Sequence, residues 1–124
     1  MVKCSQKPEK SPKGLDSDRR LYEEVGGMQY IITAYDGTGM LEKRMEVRPQ
    51  HLENMERVKE HVVCAGGLLD EVGKMKGSAL VMEFPGREEL DAYLDSEPYI
   101  REHVWEKVTV ESMNVVILDG KKVR

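Results

Sequence analysis

The positions of apolar and turn-forming residues along the chain predict four strands. Short runs rich in β-branched and aromatic residues are bounded by turn-forming residues, which is the usual signature of a strand. The predicted strands cover residues 28–35, 68–72, 77–84 and 107–118. In the last strand the apolar positions change parity near Glu111 and Ser112, which predicts a β-bulge there.

Apolar residues at helical spacing predict two main helices and a short helical turn. Pro49 marks the start of the first helix, because the N–H group that proline lacks has no partner in a first turn. Apolar residues then recur at helical intervals to about Val63, and the glycine-containing residues 64–67 are expected to break this helix. The other helical segments are residues 87–94 and a turn from Pro98 to about Val104.

The resulting order is β-α-β-β-α-β, which is typical of a ferredoxin-like α+β sandwich with a four-stranded antiparallel sheet. Helices cover one face of such a sheet and leave the other open. Residues 28–35 nevertheless carry apolar side chains on both faces, such as Ile32 and Ile31, and residues 77–84 repeat this pattern. We therefore expect a second subunit to cover the open face in a homodimer. A ligand cavity over the open face of a monomer is the alternative.

Composition separates the first 27 residues from the rest. Residues 1–27 contain six basic, five acidic and few large apolar residues, so they cannot offset the entropy cost of ordering and are predicted to form a flexible extension. The domain is predicted over residues 28–124. It is mildly acidic, since the whole chain carries a formal net charge of −4. Without a basic stripe, the domain is not expected to bind nucleic acid.

The sequence predicts no association with membranes. No apolar run approaches the ~18 residues of a membrane-spanning helix, and the first residues lack the apolar core of a secretory signal. The two cysteines, Cys4 and Cys64, lack the spacing of a redox or metal motif. Reduced thiols in a cytoplasmic protein are the simple interpretation.

Residues 41–52 contain the candidate chemistry. If Pro49 begins a helix, His51 lies in its first turn, where free N–H groups and the helix dipole disfavour a protonated imidazole. A neutral histidine can accept a proton, and the neighbouring Arg44 and Arg48 can hold an anionic substrate. Spacing alone favours a plainer interpretation, in which His51 is solvated on an amphipathic helix.

No cofactor is expected from the remaining candidates. His61 and His103 have no partner at metal-ligand spacing. Gly66 and Gly67 lack the context of a phosphate-binding loop. The sequence therefore predicts neither a metal ion nor an organic cofactor.

Four segments of the chain form a pattern through their residues, their order and their spacing. They are Leu41-Glu42-Lys43-Arg44 with Val47-Arg48-Pro49-Gln50-His51-Leu52, then Ala65-Gly66, then Gly77-Ser78 through Glu83-Phe84, and finally Glu97-Pro98-Tyr99 with Val104-Trp105 and Val108-Thr109-Val110. Together they resemble the YciI-like (YCII-related domain) family of dimeric α+β-barrel proteins, over nearly all of residues 28–117.

This resemblance implies a ferredoxin-like subunit whose dimer packs sheet against sheet. It also implies a pocket in which His51 faces an acidic residue ahead of Pro98. The family usually has aspartate where this chain has Glu97, so the expected partner is either Glu97 or Asp95. The family is similar to muconolactone isomerase-type proteins, and some relatives act on small aromatic substrates, for example by removing halide from a chlorinated hydroxyquinol.

The expected function is therefore a cofactor-independent, small-molecule enzyme of lyase or isomerase type that acts on a small acid of aromatic or lactone type. His51 is expected to be the general base, oriented by the carboxylate. Arg48, Arg44 and Tyr99 are expected to bind the substrate, with Ser78 as a hydrogen-bond donor. The alternative is a non-catalytic small-molecule-binding or accessory module with the same dimeric fold.

Plainer roles for three of these residues also fit the sequence. Glu97 fits as a charge at the start of the helix that follows it. Arg44 fits as a surface partner of Glu42 or Glu46, which would contribute little to stability. Ser78 fits as a small residue that lets strands pack closely.

Overall fold

The computed structural model describes residues 27–123. The predicted extension over residues 1–27 lies outside the described residues except for Gly27. The elements are β1 (Met28–Asp36), α1 (Leu41–Arg57), a 3₁₀ turn (Lys59–His61), β2 (Val62–Leu69), β3 (Met75–Phe84), α2 (Arg87–Ser96), α3 (Pro98–Arg101), β4 (Trp105–Met113), β5 (Ile117–Leu118) and β6 (Lys121–Lys122).

The first four strands form one antiparallel sheet in the order β2-β3-β1-β4. Two strands therefore separate β2 from β4, and the helical segments that follow β1 and β3 provide the crossovers. This arrangement confirms the predicted ferredoxin-like α+β fold. The short strands β5 and β6 pair only with each other, in a separate hairpin.

The core lies between the sheet and the helices. Alternate residues of β1 and β3 face the helices and are buried, because side chains in a strand point to opposite faces in turn. The buried core consists of Tyr30, Ile32, Ala34, Val47, Leu80, Met82, Phe84, Leu90, Tyr93, Tyr99, Val104 and Trp105. On the opposite face Ile31 and Val81 are only half-buried and Tyr35 is 44% exposed, so residues 27–123 leave much of this sheet face uncovered.

The first helix begins at Leu41, so the prediction that Pro49 starts it was wrong. The buried residues Arg44, Val47 and Asn54 recur at helical spacing, which places residues 41–48 on the same amphipathic helix as the later turns. Pro49 is exposed, and it removes one backbone hydrogen bond from the middle of the helix. The helix persists because its packing outweighs that local loss.

The early start of α1 removes one argument about His51. The imidazole lies ten residues beyond Leu41, whereas the influence of the helix dipole is confined to about the first turn. The start of the helix therefore provides no electrostatic argument about His51.

The residues expected to break the first helix belong to a strand instead. Residues 64–67 lie inside β2, where Ala65 pairs with Leu80 and Gly67 with Ser78. Predicted strand 68–72 overlaps β2 only in Leu68 and Leu69. Small residues have low intrinsic strand propensity, so pairing with β3 accounts for this strand better than its own sequence does.

The end of the chain also differs from the prediction. Strand β4 stops at Met113, and Asp119 and Gly120, with φ of 56° and 75°, turn the chain between β5 and β6. Glu111 and Ser112 pair in regular register, so no bulge lies there. The register shifts instead at Tyr35 and Asp36. The change of apolar parity arises because the chain leaves the sheet after Met113.

Candidate functional site

One face of α1 borders a cavity. Arg44, Arg48, His51 and Met55 are spaced by four, three and four residues, which aligns them along one side of a helix. They face a cavity of about 550 Å³ that lies between α1 and the strands β2 and β3. Its other lining residues are Leu52, Glu56, Lys59, Val62, Ala65, Gly66, Gly67, Met75, Ser78, Leu80 and Tyr99. Small residues on β2 leave this space open.

His51 and Glu97 are hydrogen-bonded at the cavity wall. The distance from His51 Nδ1 to Glu97 Oε2 is 2.7 Å, within the range of a charge-assisted bond. The His51 side chain is 12% exposed and that of Glu97 is fully buried. A carboxylate that accepts from Nδ1 fixes the imidazole tautomer, so that Nε2 carries the lone pair when the ring is neutral. Nε2 makes no hydrogen bond within residues 27–123.

Glu97 also caps the short helix α3. Pro98 occupies the first helical position, as predicted, and the Glu97 side chain accepts a hydrogen bond from the backbone N–H of Tyr99 at 3.0 Å. The role of Glu97 at a helix start and its contact with His51 are thus both present. They share the oxygen Oε2.

The second oxygen of Glu97 accepts a hydrogen bond from a residue of α2 that was not among the predicted site residues. The Tyr93 hydroxyl donates to Glu97 Oε1 at 2.5 Å. Burial raises the pKa of Tyr93 far above its ordinary value, and the neighbouring Glu97 adds to the rise. The spacing of four residues between Tyr93 on α2 and Glu97, which directly follows that helix, was the signal that could have revealed this contact.

Aromatic rings hold the imidazole in place. The His51 ring stacks on Tyr99, with 4.2 Å between ring centroids and 19° between planes. Trp105 approaches the same ring edge-on, with a centroid distance of 6.4 Å. Burial raises the pKa of Tyr99, and the cations Arg44 and Arg48 oppose that rise. Tyr99 is 1% exposed, so it acts mainly as a wall for His51.

Arg44 is committed to protein contacts. Its Nη1 donates to both carboxylate oxygens of Asp36, at 2.9 and 3.1 Å, and its Nη2 donates to Ser78 Oγ at 2.7 Å. The guanidinium also lies 4.6 Å from the centroid of the Tyr99 ring. Burial raises the pKa of Asp36, and Arg44 opposes the rise. The suggested surface pairing of Arg44 with Glu42 or Glu46 was therefore wrong.

The remaining predicted residues lie in different settings. Arg48 is half-buried at the cavity and forms no ion pair within residues 27–123. Ser78 is buried beside Arg44 and keeps its own hydroxyl proton available for donation. Asp95 is exposed, and the hydrogen bond of His51 goes to Glu97 instead.

The other two histidines take part in local structure. His61 Nδ1 lies 2.9 Å from the backbone oxygen of Glu83, and its ring stacks on Phe84. His103 is exposed and has a φ of 63° where the chain leaves α3. Within residues 27–123, no cluster of three or more His, Cys, Asp or Glu side chains is arranged to hold a metal ion. The helices of this region are too short or too polar to span a membrane.

Fold and cavity define a ferredoxin-like α+β protein with a buried histidine–carboxylate pair at a small-molecule-sized cavity. The chain belongs to the YCII-related domain family, whose pattern matches residues 28–114. Its resemblance to this family is thereby confirmed.

Two curated proteins are similar in sequence. Protein YciI of Escherichia coli is 32% identical over 97 residues, which cover 72% of this chain and 99% of that protein. Aspercryptin biosynthesis cluster protein B of Emericella nidulans is 28% identical over 87 residues. The match covers 63% of this chain and 56% of the fungal protein.

A solved structure shares the fold. It is the 5-chloro-2-hydroxyhydroquinone dehydrochlorinase of Burkholderia phenoliruptrix in complex with 2,5-dihydroxybenzoquinone, with a TM-score of 0.68 and 24% identity. The alignment covers 70% of this chain and 94% of the dehydrochlorinase. At this identity the likeness establishes a common fold.

Proposed function

We propose that this protein is a cofactor-independent enzyme of lyase or isomerase type, with His51 as general base and Glu97 as the group that orients it. The hydrogen bond of 2.7 Å between His51 Nδ1 and Glu97 Oε2, at the wall of the cavity, carries the proposal. Proton transfer by a positioned side chain of this kind contributes on the order of 10² to 10⁴ in rate. The family relationship and the dehydrochlorinase fold support small-molecule catalysis of this class.

The proposed reaction begins with proton removal. His51 Nε2 takes a proton from an acidic C–H or O–H group of the substrate, and the imidazolium that forms is stabilised by the buried Glu97 carboxylate. In a lyase reaction the electron pair of the broken C–H or O–H bond becomes part of a new double bond in the substrate. A leaving group then departs with the electron pair of the bond that held it. In an isomerase reaction the imidazolium returns the proton to another atom of the substrate.

The cavity favours a substrate with one oxygen-rich side. Arg48 offers a cation without an ion-pair partner within residues 27–123, and the Ser78 hydroxyl can donate to an oxygen atom on which negative charge develops. Three other lining residues, Leu52, Met55 and Leu80, are apolar. Small aromatic or lactone acids match this division, and the quinone bound by the structurally similar dehydrochlorinase has the same general character.

Turnover by histidine and carboxylate variants tests the proposal. Purified full-length protein is screened against small aromatic acids, lactones and chlorinated phenols, and the active substrate is then used with His51→Asn and Glu97→Gln. Both variants should lose at least about 100-fold in turnover. Matched controls are His103→Asn and Asp95→Asn, which change an exposed histidine and an exposed carboxylate. Ligand binding of equal affinity in wild type and His51→Asn, with no turnover of any compound, would contradict the enzyme and favour a binding module.

We further propose that two copies pack their open sheet faces together. The support is the half-buried Ile31 and Val81 and the exposed Tyr35 and Met113 on that face, since apolar area of this kind is favourable to bury. Sedimentation equilibrium should give a dimer, and Val81→Arg should give a monomer. Glu88→Arg on the exposed side of α2 is the control and should leave the mass unchanged. A monomeric wild-type chain would refute this assembly.

A further inference from the structure

Tyr93 contacts the histidine–carboxylate pair from behind. It extends from α2 into the core, where it is 4% exposed. Its hydroxyl donates to Glu97 Oε1 at 2.5 Å and also lies 3.4 Å from Met55 Sδ. His51 occupies the other carboxylate oxygen at 2.7 Å. The carboxylate therefore stands between a phenol and an imidazole, and no part of the proposed reaction uses the phenol.

We propose that Tyr93 is a positioning residue whose hydroxyl keeps the Glu97 carboxylate aimed at His51 and shares its negative charge, and thereby sets the proton affinity of the imidazole. This inference rests on the proposed function for its catalytic meaning. The contacts themselves involve three side chains, those of Tyr93, Glu97 and His51. Tyr93 does not touch the cavity, so any effect on the substrate must pass through Glu97.

The electrostatic surroundings of Glu97 make this hydrogen bond important. The carboxylate is fully buried, and within residues 27–123 its ion-pair partner is His51. Three donors stabilise the ionised form: His51 Nδ1, the Tyr99 backbone N–H and the Tyr93 hydroxyl. Without the hydroxyl, Oε1 would lose the hydrogen bond that it accepts from Tyr93. A buried carboxylate oxygen without a donor raises the free energy of the ionised form.

The charged groups that face His51 from other directions do not replace this role. Arg44 and Arg48 on α1 line the same cavity, together with Glu56 and Lys59 at its exposed side. Arg44 is already bound to Asp36 of β1. From β4 the imidazole meets Trp105, which carries no charge. The anionic neighbour in hydrogen-bonding contact with His51 is therefore Glu97, and Tyr93 acts directly on that anion.

The direction of the effect follows from charge sharing. A carboxylate oxygen that accepts from a phenol spreads part of its negative charge onto that donor. Removal of the phenol hydroxyl leaves a more basic carboxylate, which holds Nδ1–H more strongly and favours the imidazolium. Because burial raises the pKa of Tyr93 far above its usual range, the phenol remains a donor throughout the pH range in which histidine titrates. Its influence on His51 should therefore be constant across that range.

NMR of the histidine rings tests the inference without a substrate. In Tyr93→Phe the pH midpoint of the His51 ring resonances should rise by on the order of half a unit, and the low-field Nδ1 proton resonance should shift. Tyr30→Phe is the matched control, because Tyr30 is equally buried and its hydroxyl makes no hydrogen bond to another side chain within residues 27–123. That control should leave both His51 signals in place.

A double substitution separates a positioning role from a packing role. In a Glu97→Gln background the anion is gone, so adding Tyr93→Phe should move the His51 midpoint no further. A purely structural Tyr93 would lower the melting temperature in Tyr93→Phe and leave the His51 midpoint unchanged, which would overturn the inference. A fall of that midpoint would overturn it as well.

The same data distinguish this inference from the proposed function. If His51 responds to Glu97→Gln but not to Tyr93→Phe, the Tyr93 inference fails while the pair stands. If His51 responds to neither change, the pair itself fails and the general-base proposal fails with it.

Discussion

Arg44 Nη1 donates to both carboxylate oxygens of Asp36, at 2.9 and 3.1 Å, and the two side chains are almost fully buried. This ion pair joins the end of β1 to the first turns of α1. It also holds the guanidinium against Tyr99, on which His51 stacks. The pair thus links the start of the first helix to the position of the proposed base.

Removal of one partner should be costly, because the other charge is left buried. We expect Asp36→Ala to lower the free energy of unfolding by about 3 kcal/mol. Urea denaturation followed by circular dichroism measures this loss. Asp91→Ala, which breaks the exposed pair with Arg87, is the control and should cost under about 1 kcal/mol. Equal effects of the two substitutions would show that burial does not determine the strength of the Asp36 contact.

Glu97→Asp should separate the contacts of the buried carboxylate. The side chain becomes one methylene shorter, so it cannot keep both His51 and Tyr93 at their distances of 2.7 and 2.5 Å without movement of the backbone. We expect a loss of about 1 to 3 kcal/mol in the free energy of unfolding. The low-field Nδ1 proton resonance of His51 should also shift. Wild-type values for both measurements would mean that the extra methylene has no role in this chain.

Arg48→Ala should weaken the binding of anionic ligands. Arg48 is the arginine of the cavity that lacks a carboxylate partner within residues 27–123, and a charge-assisted hydrogen bond contributes roughly 1.5 to 3 kcal/mol. Calorimetric titration with an anionic compound found active in the substrate screen is expected to show affinity reduced by about tenfold or more. Arg87→Ala on α2 removes an exposed arginine outside the cavity lining and serves as the control. Equal affinity in Arg48→Ala and wild type would exclude Arg48 as the anion-binding residue.

Alkaline pH should destabilise the fold through its buried phenols. Burial raises the pKa of Tyr93, Tyr99 and Tyr30 above their ordinary values. Above about pH 10 the unfolded chain loses phenol protons that the folded chain retains, so stability falls with rising pH by up to about 1.4 kcal/mol per unit for each such group. Urea denaturation between about pH 9 and pH 11 measures the slope, and Tyr93→Phe should reduce it. If ultraviolet absorbance showed that Tyr93 of the folded protein ionises near pH 10, the usual pKa of a tyrosine side chain, this expectation would be contradicted.

Local patterns in the sequence predict the central elements well. The apolar runs of β1 and β3, the helix after Arg87 and the proline at the start of α3 are all visible in the residues themselves. The proximity of His51 to an acidic residue before Pro98 was anticipated from family resemblance, and spacing alone did not indicate it. Its role in catalysis stays a prediction.

The errors have a common physical origin in contacts between distant residues. Strand β2 contains alanine and glycine, whose strand conformation depends on pairing with β3. The start of α1 was missed because the buried Arg44 interrupts the apolar period there and depends on Asp36 for its burial. Tyr93 was not predicted as a site residue, because a spacing of four residues places its side chain near that of Glu97 without showing which atom its hydroxyl meets.

The small residues of β2 lie on the outermost strand of the sheet and form part of the cavity lining. Larger side chains at Ala65 or Gly66 would narrow the cavity from this edge of the sheet. They would leave the contact between His51 and Glu97 intact. The shape of the cavity and the geometry of the histidine–carboxylate contact are therefore separable in this architecture. Under the proposed function, substitutions on an edge strand would alter which ligand fits without altering the proton transfer.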